Sequence, residues 1–300
     1  MAGHRESLLP NVLAVVFGAL AGLGFGLLAV TIRAALYRGG DPEVGAIVVA
    51  PIAFLVALTA AAVAGDLGNV HPGELWKFAL VGFLVPGASQ IVFIQSIRLA
   101  GPSRAAILIG VAPLVSAVLA ILFLGEPLQA GLIAGTVLVV AGGAALALER
   151  SRPTAFRAIG AAAALLCALM FGIRDNLVRD VSNHSHAPPL LATAATLLGA
   201  SAILLAYLLV ARRRQLRAQF RPAVGAFALS GLTLGVAYTM LVEGLSHGRV
   251  TVVSPLSATQ SLWGVVFAAI IVGRSEMIGR RTVAAGLLVV AGGALIGATR

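Results

Sequence analysis

The feature that most constrains this chain is a series of apolar runs, each without a charged residue and about as long as a lipid bilayer is thick. Nine such runs occur in the 300 residues: Val12–Ile32, Val44–Gly65, Phe78–Ile97, Ala105–Gly125, Pro127–Leu148, Pro188–Ala211, Ala223–Val242, Val250–Gly273 and Thr282–Thr299. A tenth, Ala158–Val178, is interrupted only by Arg174 and Asp175. A helix of about 20 residues crosses the ~30 Å hydrocarbon core. The pattern predicts ten transmembrane helices, numbered here as spans one to ten in chain order, joined by short loops.

Composition excludes a water-soluble fold for this chain. Hydrophobic residues make up 59% and charged residues 11%, with a mean hydropathy of +1.01, whereas soluble proteins carry about 25% charged residues. The apolar runs show no alternation of period two, which argues against a β-barrel. The predicted fold class is therefore an all-α polytopic membrane protein. The single Cys167 allows no internal disulfide, and we expect neither a metal nor a cofactor.

The sequence contains an internal repeat at half its length. The hexapeptide "VVAGGA" at residues 139–144 returns at 289–294, and Glu126 and Glu276 are also 150 positions apart. We interpret residues 1–150 and 151–300 as two copies of one unit of five spans. Because five is odd, the second copy enters the membrane from the opposite side, and the two copies form inverted repeats.

The distribution of Lys and Arg agrees with this inversion. The loops that follow spans one, three, five, seven and nine hold 15 of these residues, against five on the other side. The positive-inside rule then predicts that both termini are extracytoplasmic in a multi-pass protein of the inner or plasma membrane. The densest basic run, "RRRQLRAQFR" at 212–221, is interpreted as a loop that contacts anionic lipid headgroups, not nucleic acid. We expect a monomer.

Two long segments resemble a known family. They are "VAPLVSAVLAILFLGEPL" (111–128), continuing to "VVAGGAALA", and "VSPLSATQSLWGVVFAAIIVGRSEMI" (253–278), continuing to "VVAGGALIG". Paired across the chain, they resemble the EamA-type drug/metabolite transporter superfamily, although "GRSE" stands in the second copy where the first has "FLGE". The resemblance implies ten helices, alternating access, frequent export of metabolites, and a central cavity lined by spans one, three, four, six, eight and nine.

Polar residues in spans three and nine are candidates for a transport pathway, because a polar side chain in lipid needs a partner or a water-filled cavity. In span nine, Ser257, Gln260 and Ser261 lie at i, i+3 and i+4 and share one helical face, and Gln260 is the best cavity candidate. In span three, Pro86 predicts a kink, and Gln90 follows it near mid-depth.

Span six carries the charged sequence "FGIRDN" at 171–176, which permits two interpretations. In one, Arg174 extends to the headgroups and Asp175 pairs with a nearby cation. In the other, both lie at the mouth of the cavity near Glu243 and His247, where they bind substrate or relay a proton.

The predicted site combines these positions with aromatic and amide residues of the same spans. The predicted substrate-binding residues are Gln90, Ser89, Phe93, Gln260, Ser257, Ser261, Trp263, Tyr238, Phe25, Phe171 and Asn176. The predicted coupling or gate residues are Arg174, Asp175, Glu243 and His247.

Glycines and the two repeated glutamates are interpreted as architectural. Glycines four residues apart let helix backbones approach closely, and the glycine pairs of the repeated hexapeptide belong to this group. Glu126-Pro127 is typical of a helix start, with the acid at the positive end of span five.

These features favour a secondary transporter of small organic metabolites, with an amino acid or related compound moved outward as the leading hypothesis. A passive facilitator of the same architecture remains open. An integral-membrane enzyme acting on a lipid or prenyl substrate is a weaker alternative, because the inner loops hold Arg without accompanying carboxylate pairs.

Overall fold

The computed structural model of the chain describes residues 8–69, 72–100, 108–147 and 158–271, with residues 284, 287–289, 291–292 and 295. Throughout that part the regular structure is helical. The first half contains α1 (Leu8–Tyr37), α2 (Pro42–Ala64), α3 (Pro72–Gly82), a π-helical turn (Phe83–Ala88), α4 (Ser89–Ala100), α5 (Ala112–Phe123) and α6 (Ala130–Ala147). The second half contains α7 (Ala158–Asn183), α8 (Pro189–Ala211), α9 (Arg213–His247), α10 (Val250–Ser257) and α11 (Gln260–Ile271).

Six of the described helical stretches are long and apolar enough to cross a membrane. They are Asn11–Leu36, Pro42–Ala64, Pro72–Phe93, Ile159–Asn183, Pro189–Ala211 and Arg217–His247. Ala112–Phe123 and Ala130–Gly142 are shorter apolar helices. Most of span ten, including three of the six residues of the second hexapeptide, lies outside the described residues, as does Glu276, so the count of ten spans stays a prediction.

Local sequence signals explain several helix ends and the kink in span three. Asp41 caps α2 because its Oδ1 accepts the backbone N–H groups of Glu43 and Val44, both at 2.9 Å. Gly65 ends the same helix at φ +83°, a conformation that glycine adopts without strain. The predicted kink is confirmed: the π-helical turn contains Pro86, and Val85 has φ −140° and ψ 122°, outside the helical range.

Span nine is not the continuous helix that the sequence predicts. It is divided into α10 and α11 by a turn at Ala258 and Thr259. Both the Thr259 N–H and its Oγ1 hydrogen-bond to the carbonyl of Leu256, at 3.2 and 2.7 Å. Ser257 ends α10 and Gln260 begins α11, so these residues do not belong to the one continuous helix that was expected. The side chain of Ser261 lies outside the described part.

The basic run at 212–221 is also different from the prediction, since only Arg212 is outside a helix. Residues 213–221 form the exposed first turns of α9. Arg and Gln are good helix formers, and a charge marks the end of a membrane-buried stretch without ending the helix. Arg212 itself pairs with Glu43, Nε to Oε2 at 3.0 Å, which ties the α8–α9 junction to the start of α2.

The two halves pack into each other in a symmetric pattern. Helix α9 packs against α1 and α2, while the α3–α4 span packs against α7 and α8. Helix α8 also packs against α2, α11 against α1, and α5 against α7. When each span is exchanged for the one five places away, these contacts map onto one another. The main core is therefore built jointly from both halves.

Glycines permit these close contacts between helices, as predicted. A Cβ at Gly22 of α1 would overlap Thr259, and a Cβ at Gly231 of α9 would come within 2.6 Å of Ile52 in α2. In the second hexapeptide, a Cβ at Gly292 would lie 2.6 Å from the Gly135 carbonyl oxygen of α6. The glycines are thus helix-packing surfaces.

Candidate functional site

Three consecutive polar residues of α7 lie inside the helical bundle. Arg174, Asp175 and Asn176 are 7%, 2% and 9% exposed. Asp175 Oδ1 accepts from Arg174 Nε at 2.8 Å and lies 2.7 Å from Arg174 Nη2. The pair is therefore enclosed by protein, and Arg174 does not extend outward from the bundle.

Ser116 of helix α5 contacts both Asp175 and Asn176. The Ser116 hydroxyl donates to Asp175 Oδ2 at 3.1 Å. Asn176 Nδ2 donates to the Ser116 carbonyl at 3.0 Å and to the Gly172 carbonyl at 2.9 Å. Gly172 allows this approach, since a Cβ there would come within 2.7 Å of Val115. Asn176 Oδ1 is buried without a hydrogen-bond partner, so the site keeps one free acceptor.

Two aromatic rings flank the Arg174 guanidinium. Its carbon lies 5.3 Å from the Phe171 ring centroid and 5.7 Å from that of Tyr238, within the range of cation–π attraction. The buried Tyr238 hydroxyl donates to the Val85 carbonyl at 2.9 Å. Val85 is the non-helical residue of the kink in span three. Tyr238 thus connects the ion pair to the kink.

The aromatic candidates of spans three and six are brought together. Phe93 and Phe171 pack on a small cluster formed by Ile109, Ala164 and Cys167. Ser89 is buried, and its carbonyl lies 3.6 Å from Cys167 Sγ. The half-buried Gln90 follows Ser89 in α4, which packs mainly against α7.

The candidates of span nine are arranged around the break in that span. Ser257 is buried, but its hydroxyl donates to the Ser254 carbonyl at 2.8 Å and so satisfies itself on its own helix. Gln260 and Trp263 are half-buried on α11, and the Trp263 ring stacks on Phe267 at 6.1 Å. Because α11 packs mainly against α1, Gln260 and Gln90 belong to different helix pairs. Phe25 of α1 packs against the main core.

In the described part of the chain, Arg174 and Asp175 make no direct contact with Glu243 or His247, so the hypothesis that the four lie together stays a prediction. Glu243 and His247 are neighbours at the end of α9, with Oε2 and Nδ1 3.6 Å apart. From α7 it is Arg179 that contacts this end, since its Nη1 donates to the carbonyls of Leu245 and Ser246 at 3.0 and 2.9 Å. The sequence hypothesis thus put into one group four residues that make two separate sets of contacts.

Glu126 has a different architectural role from the predicted one. It does not start span five, because α6 begins at Ala130. Its carboxylate instead accepts the N–H groups of Val250 and Thr251 at 2.7 and 3.0 Å, at the start of α10. This contact, like the roles of Ser116 and Arg179, joins residues far apart in the chain and leaves no local sequence signal.

Comparison with known proteins gives a family and a fold. The sequence profile of the EamA-like transporter family matches residues 12–148 and again residues 158–298. A protein of known crystal structure is similar with a TM-score of 0.75 and 18% sequence identity, over 98% of this chain and 96% of its own. At this identity the similarity shows the fold alone. No curated protein gives a significant sequence match.

Proposed function

Because the chain belongs to the EamA-like transporter family, we propose that it is a secondary transporter that moves a small organic metabolite outward by alternating access. A zwitterion such as an amino acid or a related metabolite is the proposed substrate. The proposed membrane is the inner or plasma membrane, with both termini extracytoplasmic.

The observation that carries this proposal is the enclosed Arg174–Asp175 pair. Charges inside an apolar bundle are expensive, and a buried ion pair adds little net stability. Ionisable residues in membrane spans are accordingly associated with transport pathways. Adjacent positive and negative groups, with the free Asn176 Oδ1 beside them, offer complementary partners to a carboxylate and an ammonium on one molecule.

The proposed pathway extends from this pair along both halves. Its substrate-contacting residues are those predicted from the sequence: Gln90, Ser89, Phe93, Gln260, Ser257, Ser261, Trp263, Tyr238, Phe25, Phe171 and Asn176. Glu243 and His247, with Arg174 and Asp175, are the proposed coupling or gate residues. The link from Tyr238 to the Val85 carbonyl supports a route by which changes at the pair reach the kinked span.

Alternating access is supported by the symmetric packing of the halves. In inverted-repeat transporters, one repeat rocks against the other about a site at their interface. The Arg174–Asp175 pair lies on α7 and contacts α5 of the first half and α9 of the second. A substrate at the pair would therefore touch both moving parts.

A passive facilitator with the same architecture is the second candidate, and a proton gradient distinguishes it from a coupled carrier. Coupling to protons needs a titratable group on the pathway, and Asp175, Glu243 and His247 are the proposed groups. No feature of the described ranges favours an enzyme acting on a lipid or prenyl substrate.

Transport in reconstituted vesicles tests the proposal. Purified protein is assayed against amino acids, matched amines and matched carboxylates, with and without a pH gradient. We expect saturable transport of zwitterions.

We also expect the variant Arg174→Lys, which keeps the charge but loses the planar guanidinium fork, to slow transport about tenfold. The matched control is Arg221→Lys, on the exposed start of α9. Equal rates in the two variants would contradict the assignment.

We also propose that this exposed start of α9 binds anionic lipid headgroups. Arg213, Arg217 and Arg221 follow one another at intervals of four residues, which places them on one face of the helix. Replacing all three with Gln should weaken retention of phosphatidylglycerol on the purified protein, as measured by native mass spectrometry. Unchanged retention would refute the proposal.

A further inference from the structure

Glu126 holds together parts of the chain that are more than 120 residues apart. Its carboxylate accepts three hydrogen bonds from the start of α10: from Val250 N at 2.7 Å, from Thr251 N at 3.0 Å and from Thr251 Oγ1 at 2.6 Å. Its own N–H bonds to the Ala120 carbonyl of α5 at 3.2 Å. Glu126 is 9% exposed, so these are enclosed, charge-assisted contacts.

Arg179 holds the other side of the same chain break. Helix α9 ends at His247, and α10 begins at Val250. Arg179 donates from α7 to two carbonyls at the end of α9, at 2.9 and 3.0 Å. Glu126 and Arg179 carry opposite charges on the two sides of this connection. A cation thus meets the negative end of one helix, and an anion meets the positive end of the next.

Helix α10 is built as a separate, enclosed segment. All of its residues except Val252 are buried. It packs against α1 and α5, and more lightly against α6. Backbone breaks at 248–249 and 258–259 separate it from α9 and α11. Such a segment can shift as a unit, because few φ and ψ angles at each break need to change.

We propose that Glu126 and Arg179 form a latch that closes the transport pathway at the membrane face carrying the α9–α10 connection. While the latch is intact, α10 is fixed against α5 and α9 against α7, and this face is sealed. Releasing the carboxylate from Val250 and Thr251 frees α10 to separate from α5 and opens the route toward the Arg174–Asp175 pair. The inference rests on the proposed transport function and adds the gate to it.

Cysteine labelling tests the latch without any substrate. Cys167→Ala removes the native thiol, and Ser254→Cys places a reporter on α10, where Ser254 is 3% exposed. In sealed vesicles of known orientation, a membrane-impermeant maleimide is added on the side of the α9–α10 connection. The reporter should react slowly in the parent protein. Glu126→Gln and Arg179→Gln should each raise the rate about tenfold, because each removes charge-assisted hydrogen bonds.

The matched control is Glu74→Gln. The Glu74 carboxylate also joins the two halves, since it accepts the His186 N–H at 2.8 Å, but this contact is exposed and does not involve α10. The control should leave labelling unchanged. Equal acceleration by the control, no acceleration by either latch variant, or acceleration by only one of them would overturn the proposal. The labelling readout needs no transport. If the vesicle assay shows no transport of zwitterions but both latch variants accelerate labelling, the substrate assignment is rejected and the latch proposal is retained.

Discussion

Removing one member of the Arg174–Asp175 pair should destabilise the protein far more than removing both. Asp175→Asn keeps the size of the side chain but leaves the Arg174 charge, 7% exposed, without its counter-ion. Arg174→Met leaves Asp175 with only the Ser116 hydroxyl among its described side-chain contacts. An uncompensated buried charge costs about 3–5 kcal/mol, whereas replacing a whole buried pair is close to neutral. We therefore expect a coupling energy of about 3 kcal/mol or more from the double-mutant cycle.

The assay is reversible unfolding in mixed micelles, titrated with sodium dodecyl sulfate and followed by circular dichroism. All four proteins of the cycle are measured under one set of conditions. The free energy of unfolding should fall strongly in each single variant and recover most of the loss in the double variant. Additive losses, with a coupling energy below about 0.5 kcal/mol, would refute the claim that the pair is enclosed and unscreened.

Two further predictions concern the pathway and the packing. Gln90→Leu and Gln260→Leu should each abolish vesicle transport while membrane insertion and expression stay normal; preserved transport in both would remove these amides from the pathway. Gly82→Ala should lower the free energy of unfolding by about 1–3 kcal/mol, because the added Cβ overlaps the Thr196 carbonyl oxygen. The helical control Gly225→Ala meets open space and should stabilise by about 0.5–1 kcal/mol. Equal effects of the two glycine changes would count against the close α3–α8 contact.

Features that depend on neighbouring residues could be predicted from the sequence. Charge-free apolar runs predicted an all-helical membrane protein, and the paired motifs predicted the family. Pro86 predicted the kink because a proline removes a helical hydrogen bond wherever it lies inside a helix. The glycines predicted close helix contacts for an equally local reason, since the missing Cβ is itself the space that the neighbour fills.

Features that depend on distant partners could not be predicted. Glu126 was assigned to the helix that follows it in the chain, but its partners are Val250 and Thr251. The partner of Asp175 is Ser116, 59 positions away. Glu126 and the start of α10 are each visible in the sequence. Which acid caps which helix start, however, depends on how α5, α7 and α10 pack.

The basic run illustrates a second limit, which is that charge and helix boundaries are set by different physics. The switch from apolar to Arg-rich sequence at residue 212 marks where the chain leaves the apolar environment. The backbone from Arg213 onward is nevertheless helical, because propensity and not hydropathy decides whether a polar segment is a helix. The division of span nine had a weak signal, Pro255 with the Ser and Thr residues around it, but hydropathy alone does not reveal it.

The two homologous halves are proposed to cross the bilayer in opposite directions, and one pair of labelled positions tests this directly. Gly68, after α2, and Gln215, at the start of α9, are both exposed and belong to corresponding connections of the two halves. Single cysteines at these positions, in the Cys167→Ala background, are treated with an impermeant maleimide in intact cells. We predict that the cysteine at 68 reacts from outside and that the one at 215 reacts only after the membrane is opened. Reaction of both from the same side would contradict the inverted arrangement.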